Sequence, residues 1–131
     1  MTNRRATCSC GQLSLEVSSE PVRVSMCHCH ACQLRTGSMF GAQARFATDQ
    51  VRVSGRSTAW VRTADSGNRL IFHFCPVCGA TVYYWLESKP DITAVPIGAF
   101  ADSSFPAPKF SVYESRRHAW VKTPDGVGHS D

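Results

Sequence analysis

The chain has 131 residues, 43% of them hydrophobic and 18% charged, with 14 Lys and Arg against 10 Asp and Glu for a formal net charge of +4. That length suits one compact domain, and the composition is too apolar for a disordered chain and too interrupted by polar residues for a membrane span. The charge excess is mild and does not by itself argue for nucleic acid; Arg23, Arg45, Arg52, Arg56, Arg62 and Arg69 are spread along the sequence and read as a solvated surface.

Met1 to Thr7 carries Arg4 and Arg5, but no apolar stretch of the length a secretory leader needs follows them. A cytoplasmic protein is expected. Short runs of β character then recur: Gln12 to Val17, Val22 to Met26, Met39 to Phe46, Gln50 to Val53, Thr58 to Thr63, Leu70 to Phe74, Thr81 to Leu86 and Ile92 to Ile97. Gly, Pro, Ser or Asp punctuates them. Leu13, Leu15 and Val17 alternate with Gln12, Ser14 and Glu16, the period of a strand with one buried face, and the alternation returns in Val51 and Val53 and in Leu70, Phe72 and Phe74. No segment carries a helical stripe over ten or more residues, so helix is confined to short turns after Cys32 and around Tyr113 to Arg117. Ser103, Ser104, Pro106 and Pro108 predict a loop before a last strand, Ala119 to Lys122, with Trp120 as a core anchor; from Thr123 the tail is expected to fray. The expectation is a mainly β fold: one domain over residues 1–131, ordered over about 5–122, built from two small antiparallel sheets stapled by metal, with little helix.

The chemistry lies in seven cysteines. They fall in three clusters, Cys8-Ser9-Cys10-Gly11, Cys27-His28-Cys29-His30-Ala31-Cys32 and Cys75-Pro76-Val77-Cys78-Gly79. An odd count and a reducing compartment argue against paired disulfides. A Cys-x-x-Cys turn folds tightly enough for both sulfurs to reach one ion, a following glycine permits positive φ, and an extended Cys-x-Cys pair sends both sulfurs to one face. A thioredoxin-like redox role would need a βαβ setting that is absent here. Tetrahedral thiolate sites joining short knuckles favour Zn²⁺, two ions per chain, divided as four ligands plus three. Counting leaves the partition open. Cys8, Cys10, Cys75 and Cys78 could close one site and leave Cys27, Cys29 and Cys32 as an open one, or Cys29, Cys32, Cys75 and Cys78 could close. The first is preferred, because three ligands within six residues assemble locally.

These motifs, with Thr36-Gly37-Ser38, the Phe74 to Gly79 knuckle, Gly98 and Trp120, resemble the glutathione-dependent formaldehyde-activating enzymes, a domain shared with centromere protein V. The resemblance covers nearly the whole chain. It implies a small β-tent, a structural zinc on the first and last cysteine pairs, a catalytic zinc on the middle trio, and a carbon–sulfur lyase that reversibly adds glutathione to formaldehyde. The chain departs from the pattern where Ala101 precedes Asp102 in place of an acidic pair, and where Lys109 replaces a histidine.

Three thiolates on Zn²⁺ leave a net charge of −1, which suits thiol activation better than hydrolysis. Of the neighbours, His28 and His30 are candidates for proton transfer, and Arg35 for a carboxylate on the substrate thiol. His73 reads as a surface strand residue, and Trp60, Trp85, Tyr83 and Tyr84 read as packing. The three-cysteine site is expected to hold its ion less firmly than the four-cysteine one. The partners expected are a small thiol such as glutathione and an aldehyde, with no nucleic acid and no membrane. Two other functions are compatible with the same cysteines: a zinc-stiffened binding module for protein or nucleic acid, and a thiol-based redox or metal sensor.

Overall fold

The computed structural model describes residues 3–131, so Met1 and Thr2 of the N-terminal segment lie outside it. Eleven strands and one short α-helix follow in chain order among the described residues: β1 (Arg4–Thr7), β2 (Ser14–Val17), β3 (Arg23–Cys27), α1 (His30–Thr36), β4 (Gly41–Ala47), β5 (Val51–Ser54), β6 (Thr58–Thr63), β7 (Arg69–Phe74), β8 (Thr81–Leu86), β9 (Ile92–Pro96), β10 (Phe110–Val112) and β11 (Gly128–His129), with single 3-10 turns at Thr48–Gln50, Ile97–Phe100 and Glu114–Arg116. The fold is mainly β. The strands form a three-stranded sheet, β1-β2-β5, and an eight-stranded sheet, β11-β10-β3-β4-β9-β8-β7-β6. Pairing is antiparallel except at one edge, where β10 runs parallel to both β3 and β11. The second sheet is therefore far larger than the two small sheets expected.

Alternation decides which face of each strand is dry. Leu13, Leu15 and Val17 of the small sheet meet Val24, Ala44, Phe46, Val82 and Val95 of the large one in a single core, with Phe100 and Phe105 closing its end. Each such side chain contributes about 1.5–3 kcal/mol when fully buried. Val53 departs from the pattern and is exposed although it pairs with the buried Leu15, because β5 is an edge strand with no neighbour on its outer side. The opposite face of the large sheet carries a second, smaller apolar group, Phe72, Tyr84 and Ala94 with Leu70 beside them, together with the polar Arg23, Ser25, Gln43 and Arg45. That face positions the candidate site.

Three expectations are corrected at the C-terminal end. Residues 119–122 form turns and coil, and Trp120 is 64% exposed; Val121 is buried in its place. The loop with Pro106 and Pro108 leads into β10 at Phe110. The tail is ordered: Val127 is buried, β11 pairs with β10, and the Ser130 N–H donates to the Ser111 carbonyl at 3.0 Å. No residue type near Thr123 marks a two-residue strand whose partner lies eighteen residues earlier.

Candidate metal centres and the cleft beside the cysteine trio

The sulfurs fall into two groups. Those of Cys8, Cys10, Cys75 and Cys78 lie within 4.8 Å of one another, and so do those of Cys27, Cys29 and Cys32. All seven cysteines are free.

In the first group, Cys8 and Cys10 follow β1 and turn back toward β2, while Cys75 and Cys78 follow β7 in a knuckle closed by the Gly79 N–H on the Cys75 carbonyl at 2.8 Å. Gly79 has φ +81, the left-handed value that the knuckle motif implied. The sulfurs of Cys8 and Cys10 are 3.6 Å apart and those of Cys10 and Cys75 3.7 Å. A tetrahedron of about 2.3 Å Zn–S bonds would separate sulfurs by about 3.8 Å. N–H groups also aim at the sulfurs: Leu13 N–H on Cys8 at 3.3 Å, Val77 N–H on Cys75 at 3.3 Å, and the Gln12 amide on Cys75 at 3.0 Å. Burial opposes a Cys75 thiolate, but the Cys78 N–H, the Gln12 amide and the Val77 N–H outweigh it and bring the thiol down to about 6. N–H donors aimed at the sulfurs suit a thiolate ligand set. Thus the residues fit a structural zinc. Gln12 was not foreseen; its place directly after the first cluster was the only available signal.

The second group is local. Cys27 ends β3, Cys29 caps α1 by accepting the Cys32 N–H at 3.3 Å, and Cys32 is buried in the helix. A hydrogen bond from the Cys27 thiol, which burial opposes and the Cys29 thiol and the Arg35 and Arg62 guanidiniums assist, lowers Cys32 to about 6. Cys27 is correspondingly raised, first by that same bond and then by burial. Three sulfurs around one point, with no fourth protein ligand among the described residues, fit a zinc with an open position. Gly41, opposite Cys27 across β3 and β4, leaves the room: a Cβ there would lie 3.3 Å from the Cys32 Cβ and 3.5 Å from both the Cys32 Sγ and an Arg35 nitrogen.

This trio opens into a cleft of about 1000 Å³ on the face of the large sheet that carries Phe72 and Tyr84. Arg35 reaches over the rings of Phe72 and Tyr84, at 5.0 and 5.3 Å, and Arg62 over Phe72 at 5.7 Å. Phe72 and Tyr84 pack at 4.7 Å between centroids, so they are packing residues that also serve as a platform for cations. Arg23 and Arg45 line the same cleft. Scattering along the chain thus misled: strand pairing gathers Arg23, Arg45 and Arg62 with Arg35 around one cavity, and they are half-buried in place of lying on an open surface.

His28 is fully buried, and its ring Nε2 sits 2.8 Å from the Ser111 hydroxyl, which donates to Glu114 at 2.7 Å. Burial lowers its pKa against the opposing charge of Glu114. Ser111 and Glu114 lie 83 and 86 residues along the chain, so nothing local could have named them. His30, by contrast, is exposed at the start of α1 and lines the cleft. His73 is half-buried, stacked on Tyr83 at 4.6 Å and beside Trp85 at 4.8 Å, because it pairs directly with Tyr83 across β7 and β8 and so shares that residue's face; the surface reading of it is corrected. Trp60 is half exposed on edge strand β6 and is not a core residue.

A profile of the glutathione-dependent formaldehyde-activating enzyme family matches residues 3–116. Comparison with curated proteins gives no match. Among solved structures, a crystal structure of a Rhodobacter sphaeroides protein is similar over 97% of this chain and 99% of its own, with a TM-score of 0.56 and 18% identity, a likeness of fold alone. No helix among the described residues is long and apolar enough to cross a membrane.

Proposed function

This chain belongs to the glutathione-dependent formaldehyde-activating enzyme family, and from that premise we propose that it is a zinc-dependent carbon–sulfur lyase acting on a thiol–aldehyde adduct such as S-hydroxymethylglutathione. The observation that supports this most directly is the placing of the Cys27, Cys29 and Cys32 sulfurs, three ligands without a fourth, at the wall of a cleft large enough for a peptide-sized thiol. Zinc bound there would supply a depressed pKa to a thiol entering its open position. In the forward direction the thiol sulfur forms a C–S bond to the carbonyl carbon, the S–H bond breaks, and the proton ends on the former carbonyl oxygen; the reverse breaks the same C–S bond.

Arg35 holds a carboxylate of the thiol close to Cys32, its guanidinium fixed on Phe72 and Tyr84. His30, exposed at the cleft, moves the proton between solvent and the adduct oxygen. His28 is itself buried away from the cleft's solvent, and it acts through Ser111 and Glu114 to hold the Cys27–Cys29 segment in place. Cys8, Cys10, Cys75 and Cys78 close a structural zinc. Reduced thiols are needed throughout, which suits a reducing compartment such as the cytoplasm.

Replacing Cys29 with Ser tests the reading. The variant is expected to stay folded, to lose one of two zinc equivalents, and to lose at least about 100-fold in adduct turnover, as changes in a metal's ligand environment commonly do. Unchanged turnover would sink the open-site assignment, and a wild-type protein holding one inert zinc would favour a binding module.

A further inference from the structure

Arg23 and Arg45 stand directly opposite each other on β3 and β4. Like charges in that position repel. Both are half-buried, both line the cleft, and neither has a carboxylate partner within 4.0 Å among the described residues. The Arg45 guanidinium donates only to the Ser25 hydroxyl, at 3.3 Å, and Arg23 lies over the Phe110 ring at 4.0 Å with its Nε buried and unbonded. Between them and the cysteine trio, Gln43 is 4% exposed; its amide nitrogen donates to Ser25 at 2.9 Å while its Oε1 has no partner. A protein with ten acidic residues leaves this pair uncompensated. Asp65 and Asp131, the acids that line the cleft, are both exposed and bridge neither arginine.

Alternation on β3 puts Cys27, Ser25 and Arg23 on one face, with Gly41, Gln43 and Arg45 facing them from β4. The row runs away from the trio for four residues, about 13 Å at the usual strand rise. We propose that Arg23 and Arg45 form a second anion clamp, and that the thiol substrate carries an oxyanion on the order of 10 Å from its sulfur, beyond the group that Arg35 holds. This rests on the thiol–aldehyde reading for the orientation of the substrate. The clamp makes Arg23 and Arg45 specificity-determining: they select doubly anionic thiols over short ones with a single carboxylate, and over neutral ones. A carboxylate and a phosphate offer the same chemistry to a guanidinium pair.

Calorimetry on the full chain with thioether probes tests the clamp without requiring turnover. The probes are N-acetyl-S-methylcysteine with one carboxylate, S-methylglutathione with two, and S-methylphosphopantetheine with a distal phosphate. At least one distal oxyanion probe is expected to bind about 10-fold tighter than the single-carboxylate probe, and which one identifies the source. Arg45→Gln and Arg23→Gln should each remove most of that preference, whereas Arg52→Gln, an exposed charge on β5, should leave it intact. Without ligand, Arg45→Gln should melt no lower than wild type, since it relieves the repulsion. Equal binding of all probes would overturn the clamp, as would a preference that survives both substitutions. A melting point lowered by Arg45→Gln with the preference kept would make the pair structural and overturn it as well. Because the probes carry no thiol, these outcomes stand whether or not the lyase reaction is found.

Discussion

The two cysteine groups use the same ligand atom and differ in what surrounds it. Cys8 and Cys10 reach Cys75 and Cys78 across 65 residues, and their sulfurs are wrapped by the backbone of both knuckles and the Gln12 amide. Cys27, Cys29 and Cys32 come from six consecutive residues and face a cleft edged with guanidinium groups. Closing a long loop with a filled coordination shell stiffens a fold, whereas a short local trio adds little to it and leaves room for a reactant. Stability should therefore follow the first group and activity the second.

The sharpest way to break that comparison is Cys75→Ser. A structural zinc contributes roughly 10–16 kcal/mol of apparent binding energy, on the scale of the whole net stability of a small domain. The variant is expected to be unfolded by circular dichroism, where Cys29→Ser is folded. A native spectrum at 25 °C would remove the structural role of the first group. Next in size is Gly55→Ala. A Cβ at Gly55 would stand 1.9 Å from the Gln12 carbonyl oxygen, at φ +98. Strain and overlap together cost roughly 3–5 kcal/mol. Because Gln12 brackets Arg56 and reaches Cys75, chelator should strip the four-cysteine site faster in this variant while turnover at early times persists.

Gly41→Ala probes the other group. Its Cβ would press on Cys32 at 3.3 Å and on Arg35 at 3.5 Å. The cost in stability is expected at about 1–2 kcal/mol, within the range for overpacking. Turnover should fall about 10- to 100-fold, the effect of displacing a positioning group by a fraction of an ångström. A large fall in melting temperature with turnover kept would invert the comparison.

What the sequence made legible follows the same division. Thr58 to Thr63 and Thr81 to Leu86 are strands with the bounds that their β-rich residues and flanking turn residues predict, because local composition decides them. The cysteine clusters are local motifs, and the family resemblance rests on them. By contrast, the partner of β10 is β3, more than eighty residues away, and the arginines of the cleft are neighbours only through pairing. No window of sequence contains that information. Trp120 failed for a related reason: a bulky aromatic predicts burial only where an element carries it inward, and residues 119–122 form none.

Glu114 offers the smallest and finest test, since it is where the C-terminal segment supports the three-cysteine loop. Its carboxylate accepts from Ser111, pairs with His129, and lies 3.4 Å from His28. Burial opposes its charge, but the Ser111 and His129 hydrogen bonds outweigh it and hold its pKa below the ordinary carboxylate value. A carboxylate depressed in the fold contributes stability that is present above its unfolded pKa and lost as pH falls through the folded one. Glu114→Gln should therefore lower the melting temperature at pH 7 and flatten the acid side of the melting-temperature profile below about pH 4.3, the ordinary glutamate value. The loss is expected to be no more than about 1 kcal/mol, because Glu114 stands partly in solvent, which screens its charge. Zinc retention should respond at the three-cysteine site alone, since His28 sits between two of its cysteines and nothing joins Glu114 to the other group. An acid limb identical to wild type would mean that the loop is held by its own backbone, and that the C-terminal strand lies beside the site without supporting it.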